Sequence, residues 1–96
     1  MRLALLAACA AASFGAAAQD DASRNLAAAC AICHGTGGRA VTKDVNPLAG
    51  LPKDQFIARM TAFRNGTRPA TVMHQISKGY TDQQIEQLAA YFAAQR

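Results

Sequence analysis

Apolar residues recur along this chain at the spacing of α-helices, and no stretch alternates apolar and polar positions as a strand does. An alanine-rich segment over about 21–33 predicts a first helix, since Ala22, Leu26 and Cys30 lie four residues apart and share one face. The glycine-rich stretch that follows ends this helix, and an irregular loop is predicted over 35–50.

A second helix is predicted over about 52–65. Pro52 suits its first helical position, and Gly66 suits its C-terminal end. A short helix is expected after Pro69, through about Ser77. The stripe of the second helix that should face the core consists of Phe56, Ile57, Met60 and Phe63.

A last helix is predicted over about 82–95, because Thr81 and Gln84 form the S/T-x-x-E/Q pattern of a capping box. About four helices without strands predict an all-α fold. The apolar face of the last helix consists of Ile85, Leu88, Ala89 and Phe92.

The N-terminal residues have the pattern of a secretory signal peptide. Arg2 supplies the positive start, residues 3–12 form an apolar run, and three alanines before Gln19 offer an A-x-A cleavage site. The apolar run is shorter than the roughly 20 residues that cross a bilayer, so stable membrane insertion is not expected. We therefore expect a signal peptide at 1–18 and one periplasmic domain at 19–96.

Length and charge limit what such a domain can do. A domain this short seldom buries enough apolar surface alone, and it usually needs a disulfide, a metal or another cofactor. The formal net charge of the chain is +4, but its basic residues are scattered, with no basic stripe or aromatic platform for a nucleic acid. They suit either a solvated surface or the steering of an acidic redox partner.

The C-x-x-C-H motif at 30–34 is the attachment signature of a c-type haem. Its thiols, Cys30 and Cys33, are spaced to form thioether bonds to one porphyrin. A thioredoxin-like dithiol would require a βαβ pattern, which is absent, and a disulfide would close only a small loop. A zinc site using His34 and His74 would normally show a second closely spaced ligand pair. One covalent haem c is therefore the predicted cofactor.

The iron ligands come partly from the motif. His34 should bind iron through Nε2, while Nδ1–H donates to a backbone carbonyl in the 45–48 loop. For the sixth position the chain offers Met73, which follows a proline, with His74 as its rival. Met60 falls in the predicted core stripe of the second helix, where packing is its expected role. With both axial positions filled the iron has no place for a substrate, so we expect an electron carrier and not an enzyme.

These motifs, in this order, resemble a class I cytochrome c over essentially all of residues 20–96. The resemblance implies an all-α class I cytochrome c fold of about four helices around one covalent haem. That family usually shows P-x-L-x-G after the haem motif, whereas Pro47 to Gly50 here lacks the spacer, so no carbonyl is assigned to His34. The resemblance also implies that the first and last helices cross, with Ala22 and Leu26 against Leu88 and Tyr91.

A closer likeness lies in the run from Arg68 to Asp82 and in residues 63–66, which are similar to the cytochrome subunits of flavocytochrome c sulfide dehydrogenases. This likeness implies that Met73 is the axial ligand. It also implies that electrons arrive from a sulfide-oxidising flavoprotein subunit. Two other functions stay open: a diffusible cytochrome that donates to an oxidase, and a haem-based sensor.

Overall fold

The computed structural model describes residues 14–96, with side chains from residue 21 onward. Residues 14–96 contain no strand, so the predicted all-α fold class is confirmed. None of the helices in this range is long and apolar enough to cross a bilayer. The α-helices are α1 (Phe14–Ala27), α2 (Ala31–His34), α3 (Lys53–Asn65), α4 (Met73–Ser77) and α5 (Asp82–Ala93), and the 3-10 helices Ala28–Cys30 and Thr36–Gly38 flank α2.

The first helix differs from its prediction at both ends. It already includes Phe14, the first described residue, and so extends beyond the start predicted near residue 21; the alanines at 16–18 are strong helix formers. The continuous helix expected as far as Cys33 is instead divided, since a 3-10 turn separates α1 from α2. Residues 1–13, most of the predicted signal peptide, lie outside the described residues, so the signal peptide stays a prediction.

Helices α1 and α5 pack against each other as the resemblance implies. Ala22, expected at this contact, is exposed, whereas Ala27 is 5% exposed and belongs to the core. Leu26 is half-buried against the same core. A hydrogen bond of 3.2 Å from Gln87 Nε2 to Ser23 Oγ joins the two helices. The expectation for Ala22 was therefore wrong.

The hydrophobic core is formed by side chains of α1, α3 and α5. The ring of Phe56 stacks on that of Phe92, with centroids 5.6 Å apart. Leu88 is fully buried, and burying such a side chain contributes about 1.5–3 kcal/mol to the free energy of folding. The apolar face predicted for α5 is thus confirmed. The buried apolar residues of the described part are Ala27, Phe56, Met60, Ile85, Leu88, Ala89 and Phe92.

Local sequence signals set the ends of α3 and α5. Pro52 is the N-cap of α3, one position before the helix and not inside it as predicted. Gly66 ends α3 in the left-handed conformation, with φ of 78°, and its N–H donates to the Phe63 carbonyl. At α5, Thr81 Oγ1 accepts from the Gln84 N–H at 3.1 Å and Gln84 Oε1 accepts from the Thr81 N–H at 2.9 Å. The predicted capping box is therefore confirmed.

Candidate haem-binding site

The two cysteines lie where α1 gives way to α2. Cys30 ends the intervening 3-10 turn, and Cys33 lies in α2 directly before His34. Cys30 is half-buried against the core and Cys33 is exposed, and neither forms a disulfide in the described part of the chain. Two thiols and one imidazole are thus available within a single short stretch, which is the donor set that covalent haem attachment requires.

A hydrogen bond fixes the ring of His34. Its Nδ1 lies 2.7 Å from the backbone oxygen of Asn46. Since a carbonyl oxygen can only accept, Nδ1 carries the hydrogen and Nε2 keeps its lone pair. This is the tautomer that binds iron through Nε2, and the acceptor lies in the 45–48 loop where the sequence placed it.

The identity of this carbonyl corrects the comparison with the P-x-L-x-G pattern. Asn46 stands two positions before Leu48 and four before Gly50, which is the place of the proline in that pattern. The expectation that the spacer is missing was therefore wrong, because it is the proline that is replaced. Pro47 restricts the residue before it to extended geometry, so Asn46 still has a backbone restraint.

The loop that carries Asn46 is held at two points. The carbonyl oxygen of Gly38 accepts hydrogen bonds from the N–H groups of Leu48 and Ala49, at 2.8 and 3.1 Å. The Gly50 N–H donates to the carbonyl of Phe92 at 2.8 Å, which joins the loop to the end of α5. Backbone contacts to the glycine-rich turn and to the last helix therefore position the acceptor of His34.

The three side chains considered for the sixth iron position lie in different environments. Met60 is 6% exposed within the core, in agreement with a packing role. Met73 is half-buried at the edge of the core and begins α4, which starts there and not soon after Pro69. His74 is also half-buried, and its Nδ1 has no hydrogen-bond partner in the part of the chain that the structure describes. Met73 is thus the methionine that the core does not enclose, and its bond to iron stays a prediction.

Tyr80 is a residue of the site that the sequence analysis did not assign. Tyr80 and Cys30 both pack against the hydrophobic core and influence each other's pKa, which places the segment after α4 near the cysteine motif. Burial raises the pKa of the Cys30 thiol, and the hydrogen bond with Tyr80 partly opposes that rise. The pKa of Tyr80 is also raised, chiefly by burial. No periodicity or motif marks this tyrosine, because its partner is distant in the chain.

Arg64 holds the other side of the same segment. Its Nη1 donates to the Tyr80 carbonyl at 3.3 Å, and its Nη2 donates to Asp82 Oδ1 at 2.5 Å. The cation thus joins the end of α3 to the start of α5. The segment that carries Met73 runs between these two points.

The residues around the motif fit a covalent haem. Both thiols are available for thioether bonds, and Nε2 of His34 is available to iron. Val72 and Ile76, which precede and follow Met73 in the chain, are 53% and 43% exposed and offer apolar surface to a flat macrocycle. Within residues 14–96, no three His, Cys, Asp or Glu side chains are grouped to hold a metal ion, as the zinc alternative would require.

A family of cytochromes matches most of this chain. The family model described as "Cytochrome C oxidase, cbb3-type, subunit III" matches residues 17–92. The chain is similar to the cytochrome subunit of sulfide dehydrogenase from Chlorobaculum tepidum, with 36% identity over 67 residues, which are 70% of this chain and 60% of that protein.

Two further relatives are named as an electron acceptor and as a cytochrome. The thiosulfate dehydrogenase electron acceptor of Stutzerimonas stutzeri is 36% identical over 67% of this chain and 31% of its own length. Cytochrome c-554(548) of Halomonas halodenitrificans is 30% identical over 69% of this chain and 83% of its own length. This chain spans less than two thirds of the first two relatives. It belongs to the cytochrome c family, with the small class I fold, a covalently bound c-type haem and a role in electron transfer.

Proposed function

We propose that this protein is a periplasmic electron carrier with a single haem c. The residues that attach the haem and hold its iron are Cys30, Cys33, His34 and Met73. The observation that carries the proposal is the 2.7 Å hydrogen bond from Nδ1 of His34 to the Asn46 carbonyl. It orients the imidazole next to both thiols and leaves Nε2 as the ring atom that can bind iron.

Each of these residues has its own task. The thioether bonds of the two cysteines keep the cofactor beside His34, and the hydrogen bond to Asn46 makes that ring a stronger donor. The sulfur of Met73 is a soft ligand that favours ferrous iron, so the potential is higher than with a second histidine. With His34 and Met73 as its iron ligands, the haem would supply one-electron exchange between ferrous and ferric iron.

We infer that the electron donor is a sulfide-oxidising flavoprotein subunit. The similarity to the cytochrome subunit of sulfide dehydrogenase from Chlorobaculum tepidum supports this donor. The Stutzerimonas stutzeri relative, an electron acceptor of thiosulfate dehydrogenase, also supports a dehydrogenase of a reduced sulfur compound. The signal-like pattern of residues 1–18 supports export, with residues 19–96 as the working domain.

A diffusible cytochrome that donates electrons to an oxidase is the second candidate. The description of the matching family model, which names a subunit of a cbb3-type oxidase, supports an oxidase as the electron acceptor. The two candidates differ in the partner that exchanges electrons fastest with the haem, so rates can separate them.

Expression together with the haem-attachment machinery tests the haem site. We expect a mass equal to the processed chain plus one haem, and a ferric protein with the far-red absorption band of a methionine–iron bond. Ferrous protein should not bind carbon monoxide, because both axial positions are filled. Carbon monoxide binding without the far-red band would instead indicate an open position and a haem-based sensor.

Rapid mixing then tests the partner. The ferric cytochrome is mixed with a sulfide-reduced flavoprotein subunit, and the ferrous cytochrome is mixed with a cbb3-type oxidase. Sulfide alone is the control for direct chemical reduction. Faster exchange with the oxidase than with the flavoprotein would favour the second candidate.

A further inference from the structure

The segment that carries Met73 runs between two helices that have their own anchors. Helix α3 contributes Phe56 to the core, and α5 begins at the capping box of Thr81. The backbone hydrogen bonds donated by residues 67–80 reach no further than Ala62 in α3, and none of them joins the segment to α5. Side chains must therefore fix this segment against the rest of the fold.

Arg64 joins the two ends of this segment. It lies in the last turn of α3, and its Nη1 donates to the carbonyl of Tyr80, 16 residues further along, at 3.3 Å. Its Nη2 donates to Oδ1 of Asp82, in the first turn of α5, at 2.5 Å. One planar guanidinium group thus binds two acceptors at the same time, a geometry that the single ammonium group of a lysine does not reproduce.

The side chain of Arg64 is partly removed from water. It is 28% exposed, although its partner Asp82 is 88% exposed. The other ion pair of the described residues joins Arg24 to Asp21 within α1, at 3.8 Å, and both of its side chains are exposed. Exposed pairs contribute little to stability, whereas a half-buried cation with two hydrogen bonds contributes more. Of the two pairs, only that of Arg64 is placed to hold the segment.

Tyr80 connects this contact to the proposed haem site. Its side chain packs against the core, as do those of Cys30 and Met73. Ser77, which lies between Met73 and Tyr80 in the chain, is fully buried. A backbone that is fixed at Tyr80 and enclosed at Ser77 has little freedom at the methionine that precedes them.

We propose that Arg64 is a positioning residue for the sulfur of Met73. By binding the Tyr80 carbonyl and Asp82 together, it keeps the segment closed and the methionine in the place from which it can bind iron. This inference rests on the proposed function, because it requires Met73 as the sixth ligand. Loss of the contact should raise the fraction of molecules in which the sulfur leaves that place, and an external ligand binds only to those molecules.

Titration of the ferric holoprotein with imidazole measures this fraction. Imidazole replaces the sulfur and removes the far-red band, and its apparent affinity is the intrinsic affinity multiplied by the open fraction. For Arg64→Gln we expect the apparent affinity to rise by about threefold to tenfold. The matched control is Arg24→Gln, which breaks the exposed ion pair of α1 and should change the affinity by less than about twofold. Equal changes in the two variants would overturn the proposal.

Asp82→Asn separates positioning from charge. It removes a negative charge, whereas Arg64→Gln removes a positive one, so a purely electrostatic effect on ferric iron would have opposite signs in the two variants. Loss of a shared contact gives the same sign. Both variants should raise the apparent affinity for imidazole, Asp82→Asn by less, because the bond to the Tyr80 carbonyl remains. In the double variant the two effects should not multiply. Opposite signs would contradict the assignment.

Guanidinium unfolding of the same variants separates a local role from a general one. A residue that only stabilises the fold would lower the unfolding free energy of the holoprotein and leave the imidazole affinity unchanged, and that outcome would also overturn the proposal. If Arg64→Gln does not retain haem, Asp82→Asn and Arg64→Lys each keep part of the contact and remain measurable. Arg64→Lys should lie between Arg64→Gln and the wild-type protein. Failure of the proposed function looks different: the wild-type protein itself would lack the haem mass or the far-red band.

Discussion

Gly38 should be among the least replaceable residues of this fold. Its φ is 78°, a conformation that side chains with a Cβ rarely adopt. An added Cβ would also lie 2.8 Å from Leu48 Cβ, 2.9 Å from the Ala49 nitrogen and 2.9 Å from Phe92 Cδ1. Two of these atoms are backbone or Cβ atoms, so no rotation of a flexible side chain can relieve the clash.

The cost of Gly38→Ala can be estimated from these two causes. The left-handed conformation costs a residue with a Cβ about 1–2 kcal/mol. Overpacking of a close contact costs about 1–3 kcal/mol. The free energy of unfolding of the holoprotein should therefore fall by about 2–5 kcal/mol. Because the Gly38 carbonyl also holds Leu48 and Ala49, the loop that orients His34 should move as well.

Gly66→Ala is a matched control for this prediction. Gly66 has the same φ of 78°, but an added Cβ would meet no atom within 4 Å. Guanidinium unfolding of both variants, followed by circular dichroism and haem absorption, separates backbone strain from the clash. The control should lose only about 1–2 kcal/mol and should keep the wild-type haem spectrum. Equal losses in the two variants would refute the reasoning, because they would show that the space around Gly38 is not restricted.

Three further substitutions, each with a comparison variant, test other parts of the molecule. Met73→Ala should keep the haem but abolish the far-red band and lower the reduction potential. Met60→Ala should keep the band and lose about 2–5 kcal/mol of unfolding free energy. The reverse result would make Met60 the iron ligand. Thr81→Ala should cost about 1 kcal/mol through loss of the cap, with Thr81→Ser close to wild type in chemical denaturation. Leu88→Ala should cost about 2–5 kcal/mol, while the exposed Glu86→Ala on the same helix should stay within about 0.5 kcal/mol in the same denaturation assay.

The helices of this fold can be predicted from the sequence because their signals act over a few residues. The capping box at Thr81 and the left-handed glycine at position 66 both occur where the pattern indicates. The apolar face of α5 is buried for the same reason, since a repeat of three and four residues selects one side of a helix.

The buried face of α1 was predicted less accurately than that of α5. Positions four apart advance by more than one turn of 3.6 residues, so a row chosen by that spacing winds around the helix. Ala22 therefore falls outside the contact, and Ala27 takes the buried place. The 3-10 turn at Ala28–Cys30 changes the winding again before α2 begins.

The C-x-x-C-H motif predicts the chemistry of the site, but it does not specify the groups that complete the site. Asn46 is twelve residues from His34, and no periodicity pairs two loop positions at that separation. The contact of Tyr80 with Cys30 is more distant still. Pro47 is the conspicuous residue of this loop, but it does not itself supply the carbonyl. It restricts the backbone of the residue before it, Asn46, which does.

The two sides of the proposed haem site are held by different kinds of contact. On the His34 side, backbone hydrogen bonds from Leu48, Ala49 and Gly50 reach the glycine turn and the end of α5. On the Met73 side, the backbone hydrogen bonds within 66–80 are local, and the longer connection is made by the side chain of Arg64. Opening the first side requires breaking backbone hydrogen bonds that reach distant elements. Opening the second requires breaking one partly exposed ion pair and the packing of Met73 and Tyr80 against the core. The methionine side is therefore held to the rest of the fold by side chains, and the histidine side by its backbone.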